Sequence, residues 1–215
     1  MPLHDTVGWK LFWHRAYEVE LVDFIRRQQL GGGVCVDVGA NIGYIACVLS
    51  RAVGPSGKVI AVEPDPETAA LAELNLRMNG FAHPVLRKAA ADEDGQTEFV
   101  QSVDSGYSGI RHTGRRPIGK HIFVETARLD NMYKEAAPVS LLKIDIEGAE
   151  LPALRGASAL LRGGRRPRVV IVESNTQNQA TYGYTERDLV AFMASCGFRE
   201  MERHGGSISA NIVFG

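Results

Sequence analysis

The sequence contains few cysteines and no long apolar run. Cys35, Cys47 and Cys196 are the three cysteines of the 215 residues, and without a C-x-x-C pair we expect neither a disulfide framework nor a zinc site. No stretch approaches the roughly 20 apolar residues that span a bilayer. His4, Asp5 and Lys10 lie within positions 1–10, where a signal peptide would need an apolar run. We therefore expect a cytoplasmic protein with no membrane partner.

The sequence also lacks an excess of charge. Its 24 basic and 25 acidic residues give a formal net charge of −1, so the overall balance does not favour binding to nucleic acid or to an anionic membrane. Arginine is concentrated in two places, residues 111–116 and 162–168. We interpret both as solvated loops. The alternative is that the first cluster contacts an acidic or phosphorylated substrate.

Short β-branched runs alternate with longer helical patterns, which is typical of a mostly parallel sheet flanked by helices. The pattern predicts strands at 34–38, 58–62, 84–90, 96–101, 121–127, 140–145, 168–173, 198–202 and 207–214, the last two antiparallel. It predicts helices at 16–30, 42–53, 65–79, 150–161 and 185–195. We divide the chain into an N-terminal helical segment or lid, residues 1–30, and one α/β domain, residues 31–215. The polar loop 102–119 is long for a compact domain, and such loops are usually functional or disordered.

A glycine-containing turn follows the first predicted strand and opens a helix. Gly39 and Gly43 allow the backbone to approach a ligand closely, because glycine has no Cβ. The G-x-G-x-x-G pattern of a dinucleotide site is absent, and a carboxylate at Asp37 would repel a pyrophosphate. That carboxylate would suit a ligand with a cationic end, such as S-adenosylmethionine. We predict that Asp37, Gly39, Asn41 and Gly43 bind this cofactor; the alternative is a tight turn with a purely structural role.

Two further acidic residues extend the predicted cofactor pocket. Glu63 ends the second strand, about 20 residues beyond the glycine turn, where a carboxylate can accept hydrogen bonds from the ribose hydroxyls. Asp92 follows the third predicted strand, from which a side chain can reach the adenine amino group. The alternative for Asp92 is an aspartate in a surface turn.

Five stretches of the sequence occur in the order typical of a known family. They are DVGANIGY at 37–44, VEPD at 62–65, NLRMN at 75–79, LD at 129–130 and KIDIEGAE at 143–150. With them the chain resembles the FkbM-type methyltransferases from roughly residue 17 onward, and the last stretch is the most particular to that family. The resemblance implies a class I methyltransferase fold, Rossmann-like, with a seven-stranded, mostly parallel sheet, an antiparallel last strand and helices on both faces. It also implies methyl transfer from S-adenosylmethionine to a small-molecule acceptor, usually a hydroxyl of a natural product or sugar.

Residues at the ends of two central strands are the candidates for catalysis. A hydroxyl acceptor must lose its proton; Asp145 and Glu147 follow one predicted strand, and Glu173 and Asn175 follow the next. By analogy with catechol-type O-methyltransferases, we predict that Asp145, Glu173 and Asn175 hold Mg²⁺. The alternative is that Asp145 and Glu147 bind the cofactor or cap the next helix, while Glu173 pairs with Lys143 or an arginine.

The loop 102–119 supplies one more candidate base. His112 lies in this loop, which we expect to fold over the pocket and to contribute to substrate specificity. The alternative for His112 is a solvated loop histidine.

Other classes of protein share parts of this pattern. An NAD-dependent oxidoreductase would use the same strand–helix–strand start and the same ribose-binding acid, but the absent G-x-G-x-x-G and the presence of Asp37 argue against it. A non-catalytic cofactor-binding protein would keep the pocket and lose the acidic residues at the strand ends. A nucleic-acid methyltransferase would depend on the first arginine cluster.

Overall fold

The computed structural model describes residues 6–14 and 17–215 of the chain. Its helices are α1 (Thr6–His14), α2 (Val19–Arg27), α3 (Tyr44–Val53), α4 (Pro66–Met78), α5 (Leu129–Met132), α6 (Glu150–Arg155), α7 (Ser158–Arg162), α8 (Thr176–Thr181) and α9 (Glu186–Ser195). Its strands are β1 (Val34–Val38), β2 (Lys58–Val62), β3 (Val85–Leu86), β4 (Ala89–Ala90), β5 (Gly95–Ser102), β6 (Ile118–Ala127), β7 (Val139–Ile144), β8 (Val169–Asn175), β9 (Glu200–Gly205) and β10 (Ser209–Phe214).

The central sheet has seven strands in the order β3-β2-β1-β7-β8-β10-β9. The first five run parallel, and β10 lies antiparallel to both β8 and β9. All five residues of β1 are buried, as expected for a strand covered on both faces. One hydrophobic cluster joins the sheet to α2 and α3, and a second joins it to α6, α7 and α9. The fold class predicted from the sequence is therefore confirmed.

The third predicted strand, residues 84–90, is wrong as a single element. Val85 and Leu86 pair with β2 in the central sheet, whereas Ala89 and Ala90 pair with β6 in a separate sheet of order β4-β6-β5. Between them the chain crosses from one sheet to the other. A run of extended residues does not reveal which partner each half will find, because pairing depends on strands far away in the sequence.

The predicted helix at 150–161 is also divided, into α6 and α7. The break occurs at Gly156, where an added Cβ would lie 1.9 Å from the carbonyl oxygen of Ala91. The backbone carbonyl of Gly156 accepts a hydrogen bond from the N–H of Asp130 at 3.0 Å. The segment at Ala91 approaches Gly156 so closely that only glycine fits at this position. The helix is interrupted at the same point.

Part of the predicted N-terminal segment packs against the sheet. The helix predicted at 16–30 starts at Val19 and ends at Arg27, and its side chains Leu21, Phe24 and Ile25 are buried. Residues 1–5, 15 and 16 lie outside the described part of the chain, so the predicted lid, residues 1–30, is described at 6–14 and 17–30.

The helices that the structure describes are short. In residues 6–14 and 17–215, none is long and apolar enough to cross a membrane.

Candidate active site

A cavity of about 520 Å³ opens at the carboxyl ends of β1, β2, β7 and β8. It is bounded by α1, by the residues that begin α2, by the loop between β5 and β6, and by the β9–β10 hairpin. Open α/β sheets bind their ligands at this edge, outside the carboxyl ends of the strands. The residues that line this cavity are therefore the candidates for binding and chemistry.

The turn after β1 reaches the cavity through Gly39 and Asn41. Gly39 has a φ of +79°, and an added Cβ would lie 1.8 Å from the carbonyl oxygen of Asp145, so only glycine lets β1 end this close to β7. Asn41 also has a positive φ, 48°, and its backbone N–H donates a hydrogen bond to the Glu63 carboxylate at 2.9 Å. Gly43 packs against α4 instead of lining the cavity, so its place in the structure is that of a packing residue.

Glu63 lies directly after β2 and lines the cavity. Its carboxylate accepts hydrogen bonds from the backbone N–H groups of Asn41 at 2.9 Å and Asp65 at 3.1 Å. Burial raises the pKa of Glu63 to about 7. The two backbone donors fix the carboxylate and leave lone pairs for further donors such as ribose hydroxyls.

Asp37 lies behind the cavity wall and does not line it. Its side chain is completely buried, and the nearest cation is the Lys143 ammonium, with Nζ 3.7 Å from Oδ1. Burial raises the pKa of Asp37. The sequence predicted that Asp37 makes this end of the cavity acidic. The cavity is acidic, but its carboxylates are Glu18, Glu63, Asp145, Glu147 and Glu173.

Three of these carboxylates form a cluster. Asp145, Glu147 and Glu173 each place a carboxylate oxygen within 4.8 Å of the other two. Lys143 donates to Asp145 at 3.1 Å, and Arg115 donates to Glu147 at 2.9 Å. Among the described residues, two carboxylates of the cluster therefore pair with side-chain cations, and Glu173 does not.

Burial and the neighbouring charge perturb the titration of Glu147 and Glu173. Burial, and next the Asp145 carboxylate, raise the pKa of both Glu147 and Glu173. Although burial disfavours its charged form, the carboxylates of Asp145 and then Asp37 raise the pKa of Lys143 above its ordinary value. Lys143 is therefore a fixed cation between two strand ends, and groups perturbed in this way are frequent in active sites.

The residues predicted to hold Mg²⁺ do not fit that role as a set. Asn175 caps α8: its side-chain oxygen accepts hydrogen bonds from the backbone N–H groups of Gln177 and Asn178, and it does not line the cavity. The three clustered carboxylates could each offer one oxygen, but Asp145 already pairs with a buried ammonium.

Two other predicted site residues lie away from the cavity. Asp92 is exposed, and the cavity wall on that side is formed by Lys88, Ala89 and Ala90. His112 is exposed as well, and its Nε2 lies 2.8 Å from the carbonyl oxygen of Arg116 within its own loop. The structure does not bring either residue to the other predicted site residues.

The loop 103–117, which we call the cavity loop, closes one side of the site. Asn41 donates to the Ser105 hydroxyl at 3.0 Å, which ties the cavity loop to the turn after β1. Arg115 ties it to Glu147, and Asp104 accepts a hydrogen bond from the backbone N–H of Thr6 in α1 at 3.2 Å. The expectation that this loop folds over the pocket agrees with these contacts.

The arginine clusters are not simply solvated. In the first, Arg111 donates to the carbonyl oxygen of Thr181 at 2.9 Å, in addition to the Arg115 contact described above. In the second, Arg166 donates to the carbonyl oxygen of Gly197 at 2.7 Å, and Arg168 to that of Gln29 at 2.8 Å. These arginines join loops to their neighbours.

Several lining residues were not found from the sequence. They are Glu18 before α2, Arg115 in the cavity loop, and the hairpin residues His204 and Asn211. The basic cluster 111–116 was a visible signal for Arg115. No local pattern marks the hairpin residues, because their position depends on the insertion of β10 between β8 and β9.

The family model of the FkbM methyltransferase domain matches residues 37–200. The chain belongs to this family. A solved relative, the methyltransferase FkbM from Methylobacillus flagellatus KT, is 17% identical with a TM-score of 0.59, and the match covers 85% of this chain and 43% of that one. Fibrillarin from Aeropyrum pernix, solved with natively bound S-adenosyl-L-methionine, is 15% identical with a TM-score of 0.56, over 91% of this chain and 74% of that one.

Among curated proteins, this FkbM domain is similar to the hexuronic acid methyltransferase AglP of Haloferax volcanii. The two are 27% identical over 150 residues, which are 67% of this chain and 58% of that protein. The chain therefore spans about half the length of AglP and of the Methylobacillus protein. Family and fold together support a methyltransferase that uses S-adenosylmethionine.

Proposed function

We propose that this FkbM domain transfers the methyl group of S-adenosylmethionine to a hydroxyl oxygen of a small-molecule acceptor. The observation that carries the proposal is the position of the carboxylate cluster. It lies in the same cavity as Glu63 and the turn after β1, so a cofactor held by the turn and an acceptor held at the cluster would meet.

The residues present fit S-adenosylmethionine. The turn at Gly39 contributes to the lining of the cavity, and Glu63 offers a fixed carboxylate to the ribose hydroxyls. When bound, the cofactor supplies an electrophilic methyl group on a cationic sulfur. The acidic lining of the cavity suits that positive charge and does not suit the pyrophosphate of NAD, so no observation favours the oxidoreductase.

The chain's own residues would bind the acceptor and take its proton. A hydroxyl oxygen must be aligned with the methyl group, and alignment of reactants can contribute roughly 7–11 kcal/mol. We assign proton acceptance to Asp145, because its carboxylate is held by Lys143 at the centre of the cluster. Glu147 serves to fix the cavity loop through Arg115, and Asn178 also donates to it at 2.6 Å.

The acceptor class is the finer part of the proposal. A hydroxyl of a sugar or a related natural product agrees with the FkbM resemblance. Methylation of a hydroxyl in place of an amine is supported by the carboxylates, which can accept the proton that a hydroxyl must lose. A cytoplasmic location stays a prediction.

The proposal is tested first by calorimetric titration with S-adenosylhomocysteine and, in parallel, with NADH. We expect S-adenosylhomocysteine to bind and NADH not to bind; the reverse result would overturn the assignment.

For Asp145→Asn we expect loss of methyl transfer with cofactor affinity within a few-fold of wild type. Unchanged turnover in this variant would remove Asp145 from the chemistry. Addition of EDTA tests the predicted Mg²⁺, and we expect turnover to persist.

A further inference from the structure

A row of polar side chains crosses the sheet beyond the carboxylate cluster. Glu173 in β8 stands opposite Asn211 in β10, and Asn211 stands opposite His204 in β9. Directly opposed residues of neighbouring strands share a face of the sheet, and all three residues line the cavity. We call Glu173, Asn211 and His204 the polar row.

The polar row lies on the far side of the cluster from the cofactor residues. In the sheet order, Glu63 follows β2 and the Gly39 turn follows β1, whereas the polar row occupies β8, β10 and β9 on the other side of β7. The row begins at Glu173, a member of the cluster. An acceptor whose reacting hydroxyl lies at the cluster would therefore extend along the row, away from the cofactor.

The polar row is short of hydrogen-bond donors. Among the described residues, Glu173 Oε2 and Asn211 Oδ1 are buried without a hydrogen-bond partner. His204 Nε2 likewise has none, although it lies 3.4 Å from a carboxylate oxygen of Glu202. A buried acceptor without a donor costs free energy, so each such atom needs an explanation. Hydroxyl groups of a ligand in the cavity would supply the missing donors.

The cations that line the cavity already contact other side chains of the protein, three of them through ion pairs with carboxylates. Besides His204, the described part of the chain places four basic residues in the lining, and two of them, Lys143 and Arg115, pair with the cluster. Lys88 lies 2.9 Å from Glu125, and Lys10 lies over the ring of Tyr17 at 5.4 Å. Three of these four cations thus already pair with carboxylates of the chain, and a carboxylate on an acceptor along the polar row would lie beside Glu173 and Asp145.

From these contacts we infer that the polar row is the acceptor subsite and that it selects an uncharged, hydroxyl-bearing molecule over one that carries a carboxylate. This inference rests on the proposed function, since it concerns the acceptor of that reaction. It assigns binding to Glu173 and Asn211, which would accept hydrogen bonds from acceptor hydroxyls. It also assigns selection by charge to the acidic cluster as a whole, in which Asp145 lies beside Glu173 and Glu173 pairs with no cation among the described residues.

The test uses three matched probes on the whole protein saturated with S-adenosylhomocysteine. The probes are methyl β-D-glucopyranoside, the corresponding methyl glucuronide, and the corresponding 6-amino-6-deoxy glycoside, with affinities measured by ligand-observed NMR titration. We expect the neutral glycoside to bind at least about tenfold more tightly than the glucuronide. Equal or tighter binding of the glucuronide, or no binding of any probe, would overturn the inference, whereas the amine should not bind more weakly than the glucuronide.

Two variants connect this preference to the polar row. Asn211→Leu keeps the side-chain size and removes the acceptor oxygen, and we expect it to weaken binding of the neutral glycoside about fivefold. Glu173→Gln removes an ionisable group from the acidic cluster, and we expect it to narrow the difference in affinity between the neutral glycoside and the glucuronide. The matched control is Ser207→Ala, an exposed position in the same hairpin that does not line the cavity; we expect it to behave as wild type.

The affinity for S-adenosylhomocysteine separates the possible failures. Variants that keep this affinity within a few-fold of wild type are folded, so their probe affinities can be compared. If the wild type binds S-adenosylhomocysteine but shows no preference for the neutral glycoside, the subsite is wrong and the proposed function stands. If the wild type does not bind S-adenosylhomocysteine, the proposed function itself fails.

Discussion

Single side chains determine how the cavity can hold a nucleoside. Glu63 is fixed by two backbone donors and offers its remaining lone pairs to the cavity. We expect Glu63→Ala to weaken S-adenosylhomocysteine binding about 10- to 100-fold, because charge-assisted hydrogen bonds to the ribose are lost. Isothermal calorimetry measures the effect, with Glu67→Ala, at an exposed position of α4, as the control. Wild-type affinity in Glu63→Ala would contradict this role.

The buried pair of Lys143 and Asp37 makes a second prediction for single residues. Lys143→Met would leave the completely buried Asp37 without its nearby cation, and loss of one partner of a buried pair typically costs about 3–5 kcal/mol. We expect a decrease of this size in the free energy of unfolding, measured in urea. The double variant Lys143→Met with Asp37→Asn should recover part of it. A double variant less stable than the single one would show that the two groups do not compensate each other.

At the scale of elements, the turn after β1 depends on glycine for two separate reasons. Gly39 has a positive φ and no room for a Cβ, whereas Gly54 has a similar φ of +69° with open space around it. We expect Gly54→Ala to cost about 1–3 kcal/mol from backbone conformation alone, because its ψ of −171° lies in a region that is nearly restricted to glycine. Gly39→Ala should cost clearly more, because β1 and β7 must separate. Thermal unfolding measures the loss of stability in each variant. Equal losses in Gly39→Ala and Gly54→Ala would show that Gly39 is not required for the close approach of β1 and β7.

Elements whose signal is local could be predicted, and those that depend on distant partners could not. Each of the strands β1, β2, β7 and β8 is a run of mostly apolar residues, and such a run is visible in the sequence itself. These strands could therefore be predicted without knowing which strands they pair with. The capping box of α9, with Thr185 and Asp188, was visible for the same reason and is present. The crossing between β3 and β4 and the break at Gly156 are set by contacts with segments far along the chain, which no local pattern contains.

The site shows the same division between local and distant information. Glu63, Gly39 and Asn41 follow strands that the sequence defines, and all three line the cavity. Asp37 was misplaced because an alternating pattern cannot be read within a strand that is buried on both faces. The polar row was missed because it unites residues from three strands.

At the scale of the whole molecule, buried acids make stability depend on pH. The folded pKa of Glu63 is about 7, above its ordinary value of 4.5, so between these values the folded state binds more protons than the unfolded state. The free energy of unfolding of the ligand-free protein should therefore fall as pH rises through this window, by up to about 3 kcal/mol from Glu63 alone.

Urea unfolding at a series of pH values measures this dependence. In Glu63→Gln the slope between the two pKa values should be shallower, since the side chain no longer titrates. A stability that rises steadily from pH 4.5 to 7 in the wild type would contradict the raised pKa.

The sheet order also constrains how the protein can be assembled. Among the described strands β9 pairs only with β10, and β10 in turn joins the sheet through β8. The penultimate strand therefore cannot dock until the one made after it has formed, and the two must enter together as a hairpin. During synthesis, the half of the cavity with the turn after β1 can take shape early, whereas the opposite wall must wait for the last strand, so a nascent chain would become able to bind nucleoside before it could select an acceptor.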